Sequence, residues 1–586
     1  MSKLEQLRQL MSQNNISTYI ITKMDPHQSE YAHPRYNGVE FISGFTGSYG
    51  TIVVTASEAG LWTDSRYFLQ AGSELAKGFT LHREGEPGEI DFIRYAANAT
   101  KEGDTIGFCG ESLSASVVKQ LVGRKKKGCQ IKYDKDLIKI MWKGRPEFSR
   151  ENIFVYDERY SGRSHIAKLA EVREHMERSN ARLYIISSLD DIAWLFNIRS
   201  VGSLGSFNFL AYAAVSNKEA VLFIDRIPED SAALDILRSG GVKILKYNDI
   251  YEYIDNSDAD TVALSSKRTC YSLFRHLSGK RVVELLHDIT SVLKSRKNEA
   301  EISNIKAANI KEGVNFVRLM IWLKSAAPTG NITEYDVHKK IEELRKEDPN
   351  YLGPSFEAIC GYGPNGAIVH YKVTKETARL IYPEGFILID TGANFIEGAT
   401  DITRTIALGP LTDEMRHHYT TVLKANIAFE TLQFRYGAMG VHIDAIARSQ
   451  LWKEGLHYGH GTGHGVGHLL NIHEGPQNIS DKLINAVLEE NMLISNEPGV
   501  YVEGQYGIRL ETSLLIRHAL QNAYGKFLKF ENVVFVPFER KAIVPNMLTE
   551  QEKGWLNDYH QKVYESLEPY LSRLEAEWLK KATEAI

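Results

Sequence analysis

Apolar and polar positions change period along this chain, and the changes divide it. From Phe41 to Tyr67, FISGFTGSYGTIVVTASEAGLWTDSRY, short apolar runs alternate with turn residues and close at Asp64. Such a pattern reads as strand, turn, strand. The same order returns in WLFNIRS (Trp194 to Ser200) and FLAYAAVSNKEAVLFIDRI (Phe209 to Ile227), with a strand ending near Asp225. Each copy follows a helical opening, LEQLRQLMSQNN or HIAKLAEVREHMERSN. The pattern predicts a degenerate repeat of about 130–150 residues, a common domain size. The link falls near RPEFSRENIFVYDERYSGRS. A third region opens near Leu286. There Ile302, Ile305, Ala308, Phe316, Met320 and Leu323 recur at near-helical spacing until Pro328 stops them. Near the C-terminus, Thr549 and Glu552 form a capping-box pattern. Behind it, Trp555, Leu556, Tyr559, Val563 and Leu567 predict an amphipathic helix used for packing. The expected division is 1–155, 156–286 and 287–586, in an α/β (α+β) chain.

Composition changes this picture little. The 586 residues are 43% hydrophobic and 24% charged, ordinary for a globular protein of several domains. A net charge of −5 offers no basic field for nucleic acid. The run Arg124–Lys127 sits between glycines and predicts a solvated turn. Four scattered cysteines fit reduced thiols better than a disulfide framework. No window is long and apolar enough to span a membrane. The opening segment, MSKLEQLRQLMSQNNIS, lacks the apolar centre of a signal peptide. A cytoplasmic protein is expected.

The densest candidate chemistry is YGHGTGHGVGHLLNIHEGP, Tyr458 to Pro476, with His460, His464, His468 and His473. On a helix His460 and His464 would share a face, as in H-E-x-x-H zinc proteases. Position 461 is glycine, however, so the general base of that motif is missing. Five alternating glycines would each cost roughly 1 kcal/mol in a helix interior. The stretch should be extended or looped. Two histidines four apart on a strand lie about 13 Å from each other. One ion cannot bridge that gap, so at most one of the pair is a direct ligand of a given metal. A second glycine pattern, GYGPNG at Gly361–Gly366, matches G-x-G-x-x-G. Pro364 and the following AIVHY deny it the helix that a dinucleotide site requires.

Two hairpins supply carboxylates. FILIDTGANFIEGATDITRTIAL (Phe386 to Leu408) reads as strands around a turn near Phe395–Ile396, which places Asp390 opposite Asp401. Two facing carboxylates in apolar strands repel unless a cation lies between them. LISNEPGVYVEGQYGIRLETSLLI (Leu493 to Ile516) repeats the arrangement, with Glu497 and Glu511 symmetric about Gly504. Arg509, two residues before Glu511, shares its face and is placed to neutralise and orient the cluster. Four carboxylates and one histidine balance two divalent ions better than one. Oxygen-rich ligation favours manganese or magnesium-like ions.

With DTGA, TDITRT, HGTGHGVG, NEPG and IRLE in this order, the chain resembles the pita-bread metallopeptidases, which include methionine aminopeptidase, prolidase, creatinase and aminopeptidase P. The likeness covers nearly the whole chain and is greatest to the long, three-domain aminopeptidase P branch. It implies two creatinase-type N-terminal α/β domains before a pita-bread catalytic domain. It also implies metal ligands Asp390, Asp401, His464, Glu497 and Glu511, with two divalent ions, Mn²⁺ foremost, holding a bridging hydroxide. Glu497 would shuttle a proton, and His370, His460 and His473 would serve the substrate site. His370 and His460 would stabilise the oxyanion or place the peptide. His468 has no matched role and is expected to be structural. The implied substrates are peptides with proline at the second position, cleaved before the proline. The implied assembly is a homodimer, with neither nucleic acid nor membrane as partner. A prolidase confined to Xaa-Pro dipeptides shares all five ligands, and a non-catalytic binding protein shares the fold.

Overall fold

The computed structural model describes residues 1–148, 152–200, 206–225 and 231–586. Ser149–Glu151 of the expected link, and Arg226 and Ile227 at the end of the second copy, lie outside them. The chain forms two compact units. One runs up to Ser291; the other holds Val292–Ile586 and the short segment Asp157–Gly162.

The repeat predicted from strand patterning is a repeat of topology. In the first unit, strands Thr18–Thr22, Thr51–Thr55, Ala59–Thr63, Thr80–Arg83, Thr105–Phe108 and Gln130–Lys132 form one six-stranded sheet. Strands Leu183–Ile186, Ala211–Ser216, Ala220–Ile224, Val242–Leu245, Thr261–Leu264 and Arg281–Glu284 form another. Taken in chain order, both sheets run fourth, third, second, first, fifth, sixth. In both, the first three strands pair antiparallel in succession, and the outer neighbours join in parallel. The central strands are buried along almost their whole length, which fits the apolar runs Ile52–Val54 and Ala220–Ile224. Arg124 ends a helix, and Lys125–Lys127 lead into a largely exposed turn on Gly128 at φ +79°. All four cysteines are free.

In the second unit, α1 (Glu299–Ala326) starts on a capping box of Asn298 and Glu301 and gives way at Ala327 to a 3₁₀ turn carrying Pro328. Helix α2 (Glu334–Arg345) follows, joined to α1 by the buried pair Arg345–Glu312 at 2.6 Å. Strands β1 (Ile359–Tyr362), β2 (Phe386–Thr391) and β3 (Ile402–Ala407) make an antiparallel sheet with β2 in the middle. Helices α3 (Asp413–Glu430) and α4 (Gly440–Trp452) come next. Strands β4 (Gly463–Val466), β5 (His473–Ile479) and β6 (Leu493–Asn496) share a larger sheet with β9 (Thr512–Asn522) and β10 (Gly525–Asn532). A separate hairpin of β7 (Gly499–Val502) and β8 (Tyr506–Arg509) lies between β6 and β9 in sequence. Helix α5 (Glu550–Leu567) has the expected Thr549/Glu552 cap, and its Leu556, Tyr559, Val563 and Leu567 are buried.

One register differs from expectation. Asp390 pairs with Thr403, not with Asp401. The turn is Ile396–Glu397, because Phe395 pairs with Gly398. Tertiary contacts fix it there: Glu397 Oε1 accepts from Lys311 Nζ at 2.8 Å and Asn350 Nδ2 at 2.7 Å. Asp401 is therefore a diagonal neighbour of Asp390 on the same face, still close enough to share a ligand. The Gly504-centred register holds. Val502 pairs with Tyr506 and Gly499 with Arg509, and Asn496 pairs with Thr512 in the same register.

Candidate metal centre

The stretch from Tyr458 forms no helix: it is a strand at β4 (Gly463–Val466) and looped on either side, up to β5. Gly463 lies so close to β6 that a Cβ there would sit 1.9 Å from the Ser495 carbonyl oxygen. One at Gly465 would sit 2.2 Å from the Glu474 carbonyl oxygen. Glycine alone lets the strand enter between β5 and β6. A β-bulge separates His464, which pairs with Asn478, from Gly465, which pairs with Glu474. Bulges re-aim side chains beside functional sites.

His464 is aimed at carboxylates. Its Nδ1 lies 2.9 Å from the Gly465 carbonyl, which only accepts, so Nδ1 carries the proton. In the neutral ring, the form that ligates a metal, that leaves Nε2 with a lone pair; it lies 3.5 Å from Asp401 Oδ2 and 3.6 Å from Glu497 Oε1. Asp401, His464 and Glu511 each offer a ligand atom within 4.8 Å of the others. Acceptors facing acceptors at this range call for a cation between them. Asp390 Oδ1 is buried and has no hydrogen-bond partner among the described residues. Burial first, and the neighbouring carboxylates second, push the Asp401 and Glu511 carboxyls well above the usual range. With four acids against one arginine, the side chains alone are short of positive charge. These donors fit divalent cations with oxygen-rich ligation.

Arg509 partly offsets that shortage. Fully buried, it donates Nη2 to Asp390 Oδ2 at 2.5 Å, Nη1 to Tyr501 OH at 2.7 Å and Nε to Thr403 Oγ1 at 3.3 Å. Thr403 in turn donates to Glu511 Oε2 at 2.7 Å. Arg509 thus touches Asp390 directly and reaches Glu511 through Thr403. Its Nη2 also reaches the Val369 carbonyl at 3.3 Å, next to His370 in the chain. His370 sits on a turn whose loop converges on Glu334. That carboxylate accepts from Tyr362 N (2.6 Å), Asn365 Nδ2 (2.9 Å), Tyr371 OH (2.9 Å) and Arg379 N (2.8 Å).

His460 is held differently. Its Nδ1 lies 2.7 Å from the Gly461 carbonyl and its Nε2 2.8 Å from Tyr501 OH. The run Arg509 N–H to Tyr501, then Tyr501 O–H to His460 Nε2, links the guanidinium to the imidazole. Arg448 on α4 braces the same loop, donating to the carbonyls of Tyr458 and His460 at 2.7 Å each and pairing with Asp444 at 2.7 Å. Asp444 also accepts from Thr462 Oγ1 at 2.6 Å. The His473 ring meets the His464 ring edge-on, centroids 4.3 Å apart. His468 is buried against Gly398, with Nε2 3.2 Å from the Tyr160 carbonyl.

The profile of metallopeptidase family M24 matches residues 303–518, and that of its C-terminal region matches 526–586. Creatinase/prolidase N-terminal domain profiles match 3–133 and 144–301. A probable Xaa-Pro aminopeptidase P of Coprinopsis cinerea is 37% identical over 615 residues, covering 100% of this chain and 98% of that one. This chain belongs to the Xaa-Pro aminopeptidase P family. Among solved structures, the X-prolyl aminopeptidase of Caenorhabditis elegans, described as a cytosolic enzyme with a di-nuclear active site, matches with TM-score 0.94 at 29% identity over 100% of both chains. A prolidase from Thermococcus sibiricus shares the fold over 64% of this chain and 98% of its own, at TM-score 0.51 and 21% identity.

For this aminopeptidase P family member, sequence reasoning left out Tyr501, Thr403, Arg448 and Glu334. Tyr501 was within reach: the Gly504-centred register pairs it with Gly507, two residues from Arg509 and on the same face. Thr403, Arg448 and Glu334 act through contacts that local patterns do not encode.

Proposed function

We propose that this chain is an Xaa-Pro aminopeptidase whose centre holds two divalent ions, Mn²⁺ foremost, on Asp390, Asp401, His464, Glu497 and Glu511. The convergence of the His464 Nε2 lone pair with carboxylates supports the ligand set most directly. Full-length similarity to Xaa-Pro aminopeptidases supports the substrate class. When bound, such ions lower the pKa of water and polarise a carbonyl.

The chain's own groups do the rest. Arg509 fixes Asp390 and offsets part of the acidic charge. Glu497, whose Oε1 lies 3.5 Å from Ser495 Oγ, would accept a proton and return it to the leaving proline nitrogen. His460, oriented by Gly461 and Tyr501, and His370, on the loop gathered by Glu334, would place the peptide or stabilise the oxyanion. His473, packed on His464, would seat the proline side. A bond before proline lacks an N–H, and the ring restricts the chain, so an enzyme for it needs its own binding geometry. We further propose the domain division 1–155, 156–286 and 287–586, a homodimer and a cytoplasmic location.

The test is hydrolysis of Arg-Pro-Pro and Arg-Pro, with added Mn²⁺ and after chelation. Manganese-dependent release of arginine from the tripeptide, with little from the dipeptide, is expected. Cleavage confined to the dipeptide would make the chain a prolidase, and cleavage of neither would remove the Xaa-Pro assignment.

A further inference from the structure

The two ladders that flank Glu497 and Glu511 share one register but are interrupted where those residues lie. Asn496 pairs with Thr512 on one side of the break and Gly499 with Arg509 on the other. Helix α3 places a side chain at the interruption. The Asn426 amide donates to the Asn496 carbonyl at 3.2 Å and to the Leu510 carbonyl at 3.1 Å. These are the residues immediately before Glu497 and Glu511. Asn496 Nδ2 returns a hydrogen bond to the Asn426 carbonyl at 3.0 Å. Both asparagines are fully buried, and the Oδ1 atom of each has no hydrogen-bond partner among the described residues. Two acceptors are thus left idle while the donors stay on the backbone, and those donors fix the orientation of each amide.

We propose that Asn426 is a positioning residue that sets the separation of the Glu497 and Glu511 carboxylates, and through it whether the centre holds a pair of ions. One NH₂ group spans the carbonyls just before both glutamates, so the two segments cannot shift apart without breaking a buried hydrogen bond. The proposal rests on the two-ion centre proposed above.

Mn²⁺ titration and electron paramagnetic resonance of the full chain test it. Asn426→Leu removes both donors; Asn426→Ser removes the amide with a smaller polar side chain in its place. Leu528→Ala, a buried change on β10 where that strand pairs with His518 of β9, six residues along from Thr512, controls for general loss of stability. The natural chain and Leu528→Ala should bind two Mn²⁺ and show the signal of a spin-coupled pair. The Asn426 variants should bind the second ion at least tenfold more weakly and show isolated Mn²⁺. Two tightly bound, coupled ions in both Asn426 variants would overturn the proposal alone. No coupled pair in the natural chain would overturn the two-ion centre and this proposal together.

Discussion

Arg509 makes contacts that a lysine cannot reproduce. Its fork reaches Asp390, Tyr501 and Thr403 from one planar group, whereas an ammonium is a point charge on a flexible stem. Arg509→Lys keeps the charge and loses the fork. It should lower kcat/KM or metal affinity by roughly 10–100-fold, the usual cost of losing a group that orients a ligand. Tripeptide kinetics together with metal titration check this, and values like those of the natural chain would show that charge alone suffices. At this scale the residue types of the site were legible in the sequence, because carboxylates in apolar strands need a reason. The pairing of Asp390 was not, since Lys311 and Asn350 fix the turn from outside the hairpin.

Among elements, α4 gives the glycine-rich stretch an order its sequence does not provide. Alternating glycines leave the backbone free to choose many conformations. Arg448 removes that freedom by holding two carbonyls two residues apart. Arg448→Met should raise amide hydrogen exchange across residues 458–466 and lower kcat/KM about tenfold or more, with melting still cooperative. Unchanged exchange in that segment would show that α4 does not order it. The helix and the glycine strand were each readable from periodicity and composition. Their connection was not, because it runs through contacts between side chain and main chain.

For the molecule as a whole, stability should carry a mark of Glu430. Burial raises its carboxyl from 4.5 to about 7, while Asn532 donates to Oε2 at 3.0 Å. Because the folded value lies above the unfolded one, the folded state binds the extra proton between them. This group's contribution to stability therefore falls as pH rises from about 4.5 to about 7. Relative to the natural chain, Glu430→Gln should gain on the order of 1–3 kcal/mol of stability between about pH 4.5 and about pH 8. Denaturant unfolding at the two pH values checks this, and an equal effect at both would show that Glu430 does not titrate in that range. The doubled topology of the first unit was legible because two patterns of strand and turn recur at domain spacing. The tie between α5 and the candidate metal centre was not, because it runs through one buried guanidinium. Arg404 donates to the Glu511 carbonyl at 2.6 Å, to Tyr559 OH at 2.8 Å and to the Val536 carbonyl at 2.8 Å. Tyr559 lies on α5, close to the C-terminus. Any truncation, fusion or tag that disturbs that helix therefore reaches the backbone of a candidate ligand, and a deletion that removes α5 is in effect a lesion of the candidate centre.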